Sequence, residues 1–551
     1  MSRASASVLL AVFGSGVFLA GLELMITAVA LPAIIIDLAA DPILGYRDLR
    51  KASWIVNGYL LVYVVAMPLA GRLTDLWGAR RLFLGSLAVF ILGSVLAGRA
   101  ATVDELIAAR LVQAAGGGVL VPVGTAAASH LFGGDARPRA LGVIGALTFL
   151  GMAAGPFVGA AILGGIHADA ALLGFGIESG SLFDALVPAW RWVFYVNVPV
   201  GIVALVLGWA ASHGWDTPRH GGRVDVIGGF LFSLALLAGL VGVTLLGGRQ
   251  VDTGFGPGAI SPVLLGVAAV ATLASILLGL RRDDPFLDPR LFRRPAFTSA
   301  AVVSLLTGYT FATAIIGGAV FVDRVLYGGP DDQRLVLGAL AAATALGALA
   351  SGFLLRIVDL RVVTLVGLVA STAALVRMTG FTPTTPIVET ALTLGLFGAG
   401  FGLTVTPRST AAVESVGRRA FGVASATVTV ARMVGMAVGL AALTAYGSTR
   451  IDQLYDQVYA TPEAYKQFIP AELHDRPFRD GLVAEALETW AAGEASRILV
   501  GIFLVAGVVS AAAAPAALTM GGRPRMLTGE SLATDEKAAD VAEERGPSLA
   551  L

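Results

Sequence analysis

The sequence predicts an all-α, polytopic membrane protein, and three observations carry that prediction. Of its 551 residues, 56% are hydrophobic and only 14% charged, and the mean hydropathy is +0.80. A soluble domain of this length carries roughly a quarter charged residues. Apolar runs of 18 or more residues recur along the whole chain, each long enough to cross a ~30 Å hydrocarbon core as a helix. The runs are continuous rather than alternating, which argues for helices over a transmembrane barrel.

Reading apolar runs between charged or Pro/Gly-rich breaks gives about fourteen spans. They begin near Val8, Ser53, Leu82, Asp104, Ala140 and Trp192, then as a pair near Val226 and Ser261. Six more begin near Phe297, Leu335, Val362, Val388, Phe421 and Ala495. The opening MSRASASVLLAVFG looks like a signal peptide, but its apolar run continues to about Pro32, so it reads as the first span. Arginines cluster in alternate connections: Arg72, Arg80 and Arg81; Arg137 and Arg139; Arg281, Arg282, Arg290, Arg293 and Arg294; Arg418 and Arg419; Arg523 and Arg525. Positively charged connections stay cytoplasmic, so both termini are expected in the cytoplasm. The opposite connections are poorer in arginine, apart from a long one at about 449–494 containing IDQLYDQVYATPEAYKQFIPAEL. Its amphipathic character fits a helix lying on the outer membrane surface or a solvated hairpin.

An internal repeat divides the body. GMAAGPFVG at Gly151 is echoed by GMAVGLAAL at Gly435, and AAGGG at Ala114 by GAGFG at Gly398, both offset by 284 residues. The expected organisation is a six-helix half over 1–213 and two inserted helices with linkers over 214–296. A second six-helix half follows over 297–520, with a polar, disordered cytoplasmic tail over 521–551.

These segments resemble the major facilitator superfamily, and within it the fourteen-helix drug:proton antiporters. GRLTDLWGARR, Gly71 to Arg81, is similar to the superfamily's G-x-L-x-D-x-x-G-x-R-[RK] loop after the second span. RLVQAAGGG in the fourth span, GMAAGPFVG in the fifth and GLELMITAVALP in the first resemble further motifs. So do WRWVFYVNVP at Trp190 and DPFLDPRLFRRPAF at Asp284. The second span, YLLVYVVAMPLAG, is also similar to that of mycobacterial exporters of lipids and drugs. Their fifth span carries an acid that this chain lacks. The resemblance covers about residues 8–520 and implies two halves that rock about a central cavity.

In GRLTDLWGARR, Gly71 and Gly78 permit a tight turn. If the halves pack as in the superfamily, Asp75 faces the N-terminus of the span beginning at Phe421, where free N–H groups favour its charge. Arg80 and Arg81 would complete a cytoplasmic latch; a structural turn is the alternative. The second-half counterpart, GFLLRIVDLR, has Arg356 where Asp75 would stand, so the latch is asymmetric. Gly151, Gly155 and Gly159 form one smooth helix face interrupted by Pro156. By resemblance that face is an interdomain hinge, and ordinary small-residue packing is the alternative.

Glu23 stands in the middle of the first span. A charge at a helix centre costs ~2.5–3.5 kcal/mol on insertion scales and needs a basic partner, water or a proton. Three basic residues lie deep enough to serve: Arg110, Arg377 and Arg432, of which Arg110 and Arg432 are the candidate partners. Glu23 alternately exposed to the two sides is the candidate proton-coupling carboxylate, with a structural ion pair as the alternative. Candidate cavity contacts are Asn57, Tyr59, Tyr63, Gln113, Tyr309 and Phe311. So few buried charges fit a lipophilic substrate, neutral or singly cationic.

The chain has no cysteine, which excludes disulfides and thiolate metal sites. It has no G-x-x-x-x-G-K-[ST] loop and no H-E-x-x-H. Its histidines, His130, His167, His213, His220 and His474, lack ligand spacing. Neither an ATP-driven pump nor a membrane enzyme is expected, nor any metal, cofactor or nucleic acid. The expected function is proton-antiport export of lipophilic compounds, drug-like or lipid-like, by a monomer in a bacterial cytoplasmic membrane. Export of an endogenous lipid or metabolite, or facilitated passage without proton coupling, remains the alternative.

Overall fold

The computed structural model describes residues 3–522 apart from 39–44, 135, 167, 169–179, 181–182, 184–185, 218–224, 247–259, 283–284, 417–419, 459–460, 462 and 478–479. Among the described residues there is no strand, and fourteen helices are long and apolar enough to cross a membrane. They are α1 (Arg3–Leu38), α2 (Gly45–Trp77), α3 (Ala79–Arg99), α4 (Val103–Leu131), α5 (Ala136–Gly165) and α6 (Ala189–Ala211). Then come α7 (Val226–Leu246), α8 (Ile260–Arg281), α9 (Pro295–Arg324) and α10 (Pro330–Leu354). The last four are α11 (Leu360–Met378), α12 (Ile387–Glu414), α13 (Phe421–Val458) and α14 (Gly481–Ala512).

Helices α1–α6 pack into one bundle and α9–α14 into a second, with the α7–α8 hairpin set against α13 and α2. The bundles meet along two seams, α5 with α10 and α2 with α13. The chain is therefore a multi-pass membrane protein of two six-helix halves with two inserted helices. Leu92, Leu207, Phe230, Val270 and Val369 project outward, as a lipid-facing surface requires.

Local chemistry fixes the ends of several helices. Thr102 accepts from the Glu105 amide at 3.2 Å, and Glu105 reaches back to the Ala101 amide at 2.8 Å. These two side-chain caps start α4 and thereby set the depth of Arg110, two turns further on. At the end of α3, Arg191 donates to the carbonyls of Gly98 and Ala100 at 2.9 and 2.7 Å, satisfying orphan acceptors. Asp225 at the start of α7 accepts from the amides of Gly228 and Phe286 and pairs with Arg282. One carboxylate thus closes the base of the hairpin.

Three expectations change. α1 continues through Leu38, beyond Pro32, and α13 runs unbroken to Val458 while α14 begins at Gly481. Most of the amphipathic pattern in 449–494 extends these two spans instead of forming a separate surface helix. Between them lie only short 3-10 turns at Ala464–Phe468 and Ala471–Leu473, packed around Tyr465, Ile469 and Val483.

The glycine face of α5 is not at the interface between the halves. A side chain at Gly151 would strike the Phe18 carbonyl and the Leu22 amide, one at Gly155 would strike Met25 and Ile26, and Gly159 faces Ile26 and Val29. All are on α1, in the same bundle. Gly435 and Gly439 do the same against Leu305 and Tyr309 of α9. The stripes bring two helices of one half into backbone contact, which is how helices associate where lipid removes the hydrophobic drive. Pro156 sits half-buried in the same helix.

Of the tail beginning at 521, residues from 523 onward lie outside the described residues, as do Arg418 and Arg419.

Candidate functional site

Glu23 is completely buried in α1 and is the focus of a polar network. One carboxylate oxygen pairs with Nη1 of Arg110 and accepts from the Thr27 hydroxyl at 2.9 Å. The other accepts from Nδ2 of Asn197, on α6, at 2.5 Å. Arg110, 1% exposed, also donates to Oε1 of Gln113 at 2.6 Å and to the Ile55 carbonyl at 3.3 Å. Gln113 in turn donates to Ser94 at 2.8 Å. Four helices therefore hold one carboxylate and one guanidinium; both Glu23 oxygens have donors, Nε and Nη1 of Arg110 have acceptors, and the Asn197 amide oxygen stays buried without a donor.

A line of aromatic contacts leaves this network. The Arg110 guanidinium lies 3.9 Å from the centre of the Tyr59 ring, and Tyr59 stacks on Tyr63 with centroids 5.7 Å apart. Both hydroxyls are buried without a hydrogen-bond partner. Tyr63 lies within electrostatic reach of Arg432, across the α2–α13 seam.

Arg432 makes no bond to Glu23. Its guanidinium lies over Phe149 of α5 at 5.4 Å, and its Nε is enclosed with no acceptor. Phe149, Phe311 and Phe401 form an aromatic trio from α5, α9 and α12, with centroids 4.5 to 5.6 Å apart. Against the same trio lies Arg408, 2% exposed, over Phe401 at 5.2 Å. It is held by the Thr404 carbonyl at 2.9 Å and the Thr307 hydroxyl.

At one end of the bundle, Asp75 closes the α2–α13 seam. Its two oxygens accept from the amides of Gly422 and Val423 at 3.0 and 3.1 Å, two of the free N–H groups that begin α13. Backbone contact makes this possible: a Cβ at Gly71 would stand 2.6 Å from both the Gly422 carbonyl and Ala426. Gly78 has φ 90, a conformation open to glycine, which turns the chain into α3. Arg80 does not join Asp75. Its amide and Nε donate to Asp216 and Ser212 beyond α6, each at 2.9 Å, and Arg81 is exposed. The cation in reach of Asp75 is Arg72. The turn places Arg80 and Arg81 on the far side of α3, within their own half.

Two helical bundles joined by an Asp75-to-helix-N-terminus clamp, with buried charges at the seam, match a known plan. Residues 13–440 match the family model of the Major Facilitator Superfamily. The chain belongs to that superfamily. As a superfamily member it is a transporter rather than an enzyme. A triacylglyceride transporter of Mycolicibacterium hassiacum is 32% identical over 484 residues, covering 85% of this chain and 84% of the relative. Another, from Mycolicibacterium smegmatis, is 32% identical over 444 residues, covering 76% and 72%. Among solved structures, a human organic anion transporter superposes with a TM-score of 0.57 at 14% identity, covering 93% of this chain and all (100%) of that one. At such identity only the fold is shared.

Within this superfamily fold, the other candidate cavity residues separate. Gln113 belongs to the Glu23 network; Asn57 and Tyr309 are half-buried; Phe311 stands in the trio. Arg377 is not deep: it lies exposed at the end of α11 and pairs with Glu389. Sequence reading missed Arg408, because a basic residue late in an apolar run reads as a helix end, whereas α12 continues to Glu414. It also missed Thr27, four residues from Glu23 on the same helix face, and Asn197, the lone amide in the apolar run of α6.

Proposed function

We propose that the chain is a secondary active exporter of lipid-like compounds, driven by proton antiport, with Glu23 as the coupling carboxylate. The observation that carries this is a carboxylate sealed among three donors, one of them a guanidinium, in the span core. Taking up a proton weakens its hold on Arg110, whose own contact with Tyr59 leads toward the other half. A single proton thereby changes the electrostatics of the seam. The lipid class is supported by the relatives named as triacylglyceride transporters. Orientation follows the arginine pattern: the Asp75 end, both termini and the tail are cytoplasmic, in a bacterial inner membrane. We assign Asp75 to a latch that holds that end shut while the other is accessible, in a protein working as a monomer.

The test is transport by purified protein in liposomes under an imposed pH gradient, with wild type and Glu23→Gln at equal density, reading movement of a labelled lipid. Gradient-dependent movement that vanishes in Glu23→Gln supports the reading. Equal gradient dependence in both removes Glu23 from coupling. The complete satisfaction of Glu23 within its own half favours one second reading, a structural ion pair in a facilitator. Transport by wild type that ignores the gradient would establish it.

A further inference from the structure

In the first half Glu23 pairs with the buried Arg110, and the second half holds two arginines, Arg408 and Arg432, deep in its spans. Arg408 is buried and bonded only to a carbonyl and a hydroxyl, both neutral acceptors. Arg432 is half-buried, with Nε enclosed and unpaired. Among the described residues no carboxylate forms an ion pair with either. The two face one aromatic trio, over Phe401 at 5.2 Å and Phe149 at 5.4 Å, with those rings 5.5 Å apart, and they are close enough to repel. The buried hydroxyl of Tyr63 on α2, also unpaired, lies within electrostatic reach of Arg432.

A buried charge left without its partner is strongly destabilising. Cation–π contact offsets only part of that cost for each arginine. Among the described residues these two neighbouring cations have no counter-charge. Arg432, partly exposed at the seam between the halves, is where one can arrive.

We propose that Arg408 and Arg432 form an oxyanion site, so that the compound carried is an anionic amphiphile. Its phosphate monoester or carboxylate lies between the two guanidinium groups, and its chain lies along Phe149, Phe311 and Phe401. Guanidinium groups suit this task because their forked donors match a carboxylate or phosphate. The inference rests on the lipid-export reading for the apolar part of the substrate and replaces the neutral or cationic substrate that the sequence implies.

Equilibrium binding without a gradient tests it on the purified full-length protein. The probes are oleoyl lysophosphatidate, oleate and monoolein, which share one acyl chain, with inorganic phosphate as competitor. Lysophosphatidate and oleate are expected to bind at least tenfold tighter than monoolein. Arg432→Gln, chosen because the Arg432 guanidinium bonds nothing, abolishes the difference while leaving monoolein affinity unchanged; Arg432→Lys restores part of it. Phosphate is expected to compete weakly; phosphate as effective as lysophosphatidate would overturn the lipid source and leave a free-anion site. Equal binding of the three amphiphiles to wild type, or a preference that survives Arg432→Gln, overturns the proposal. Because neither readout involves proton flow, the outcome is independent of whether Glu23→Gln transports.

Discussion

Asp75→Asn is expected to loosen the α2–α13 seam at the end where Asp75 caps α13. The carboxylate accepts from two helix-starting amides, and a hydrogen bond to a charged group contributes about 1.5–3 kcal/mol. Asparagine retains one acceptor oxygen, loses the charge that favours the helix N-terminus, and turns its own N–H₂ toward the second amide. One bond is lost and the other weakened, while water partly compensates whenever the seam opens. The net destabilisation of the closed seam is about 2 kcal/mol, roughly thirtyfold in population at 1.4 kcal/mol per factor of ten. The chain has no cysteine, so a spin-labelled pair can be placed cleanly. Trp77→Cys and Arg356→Cys put labels on exposed positions of opposite halves at this end. Electron–electron distance measurements in nanodiscs should show a longer, broader distribution in the Asp75→Asn background. An unchanged distribution, with wild-type unfolding temperature, would refute the claim that these two bonds hold the seam.

The remaining expectations concern the interior. Arg110→Gln leaves Glu23 buried without its cation and should destabilise the protein by about 3–5 kcal/mol. The double variant with Glu23→Gln should recover a substantial part, read as non-additivity in denaturant unfolding. Gly435→Val drives a side chain into the Leu305 carbonyl and should cost about 1–3 kcal/mol, whereas Gly164→Ala, with open space around it, should not lower the unfolding temperature. Tyr59→Phe removes only an unpartnered hydroxyl and should leave stability and pH-gradient dependence intact. Tyr59→Leu removes the ring beneath Arg110 and should lose about 0.5–2 kcal/mol together with part of that dependence, measured in the liposome assay.

Span number and the two-half plan were legible because the lipid core imposes length and hydropathy on each helix, independent of partners. Glu23 was legible for the same reason, since a carboxylate among apolar residues stands out whatever surrounds it. What surrounds it was not. Arg110 and Arg432 lie at similar depth, and only the packing of α4 against α1 and α2 brings Arg110 to the carboxylate. Arg408 was hidden by an end-of-helix appearance, and Arg377 misread by the converse. The glycine stripes were visible as smooth faces, but a face does not name its partner. The carbonyls of Phe18 and Leu305, which decide that these are contacts within each half, are backbone atoms common to every sequence.

That last placement bears on how the halves move. These stripes join α1 to α5 and α9 to α13, so each half holds a close-packed pair that would move as a unit. The surfaces left to slide are α5 on α10 and α2 on α13. The first seam is itself glycine-lined, with Gly142 against Ala348 and Gly352 against Pro138, so it presents little side-chain relief to rotation. The second carries discrete polar contacts: Asp75 on the first amides of α13 at one end, and Tyr63 near Arg432 further along. Discrete contacts of this kind are made or broken as units, which suits a two-state switch better than a continuous deformation. The sequence Glu23, Arg110, Tyr59, Tyr63, Arg432 crosses that second seam. A change of charge at Glu23 and the arrival of an anion at Arg432 would therefore act on the same surface, from its two sides.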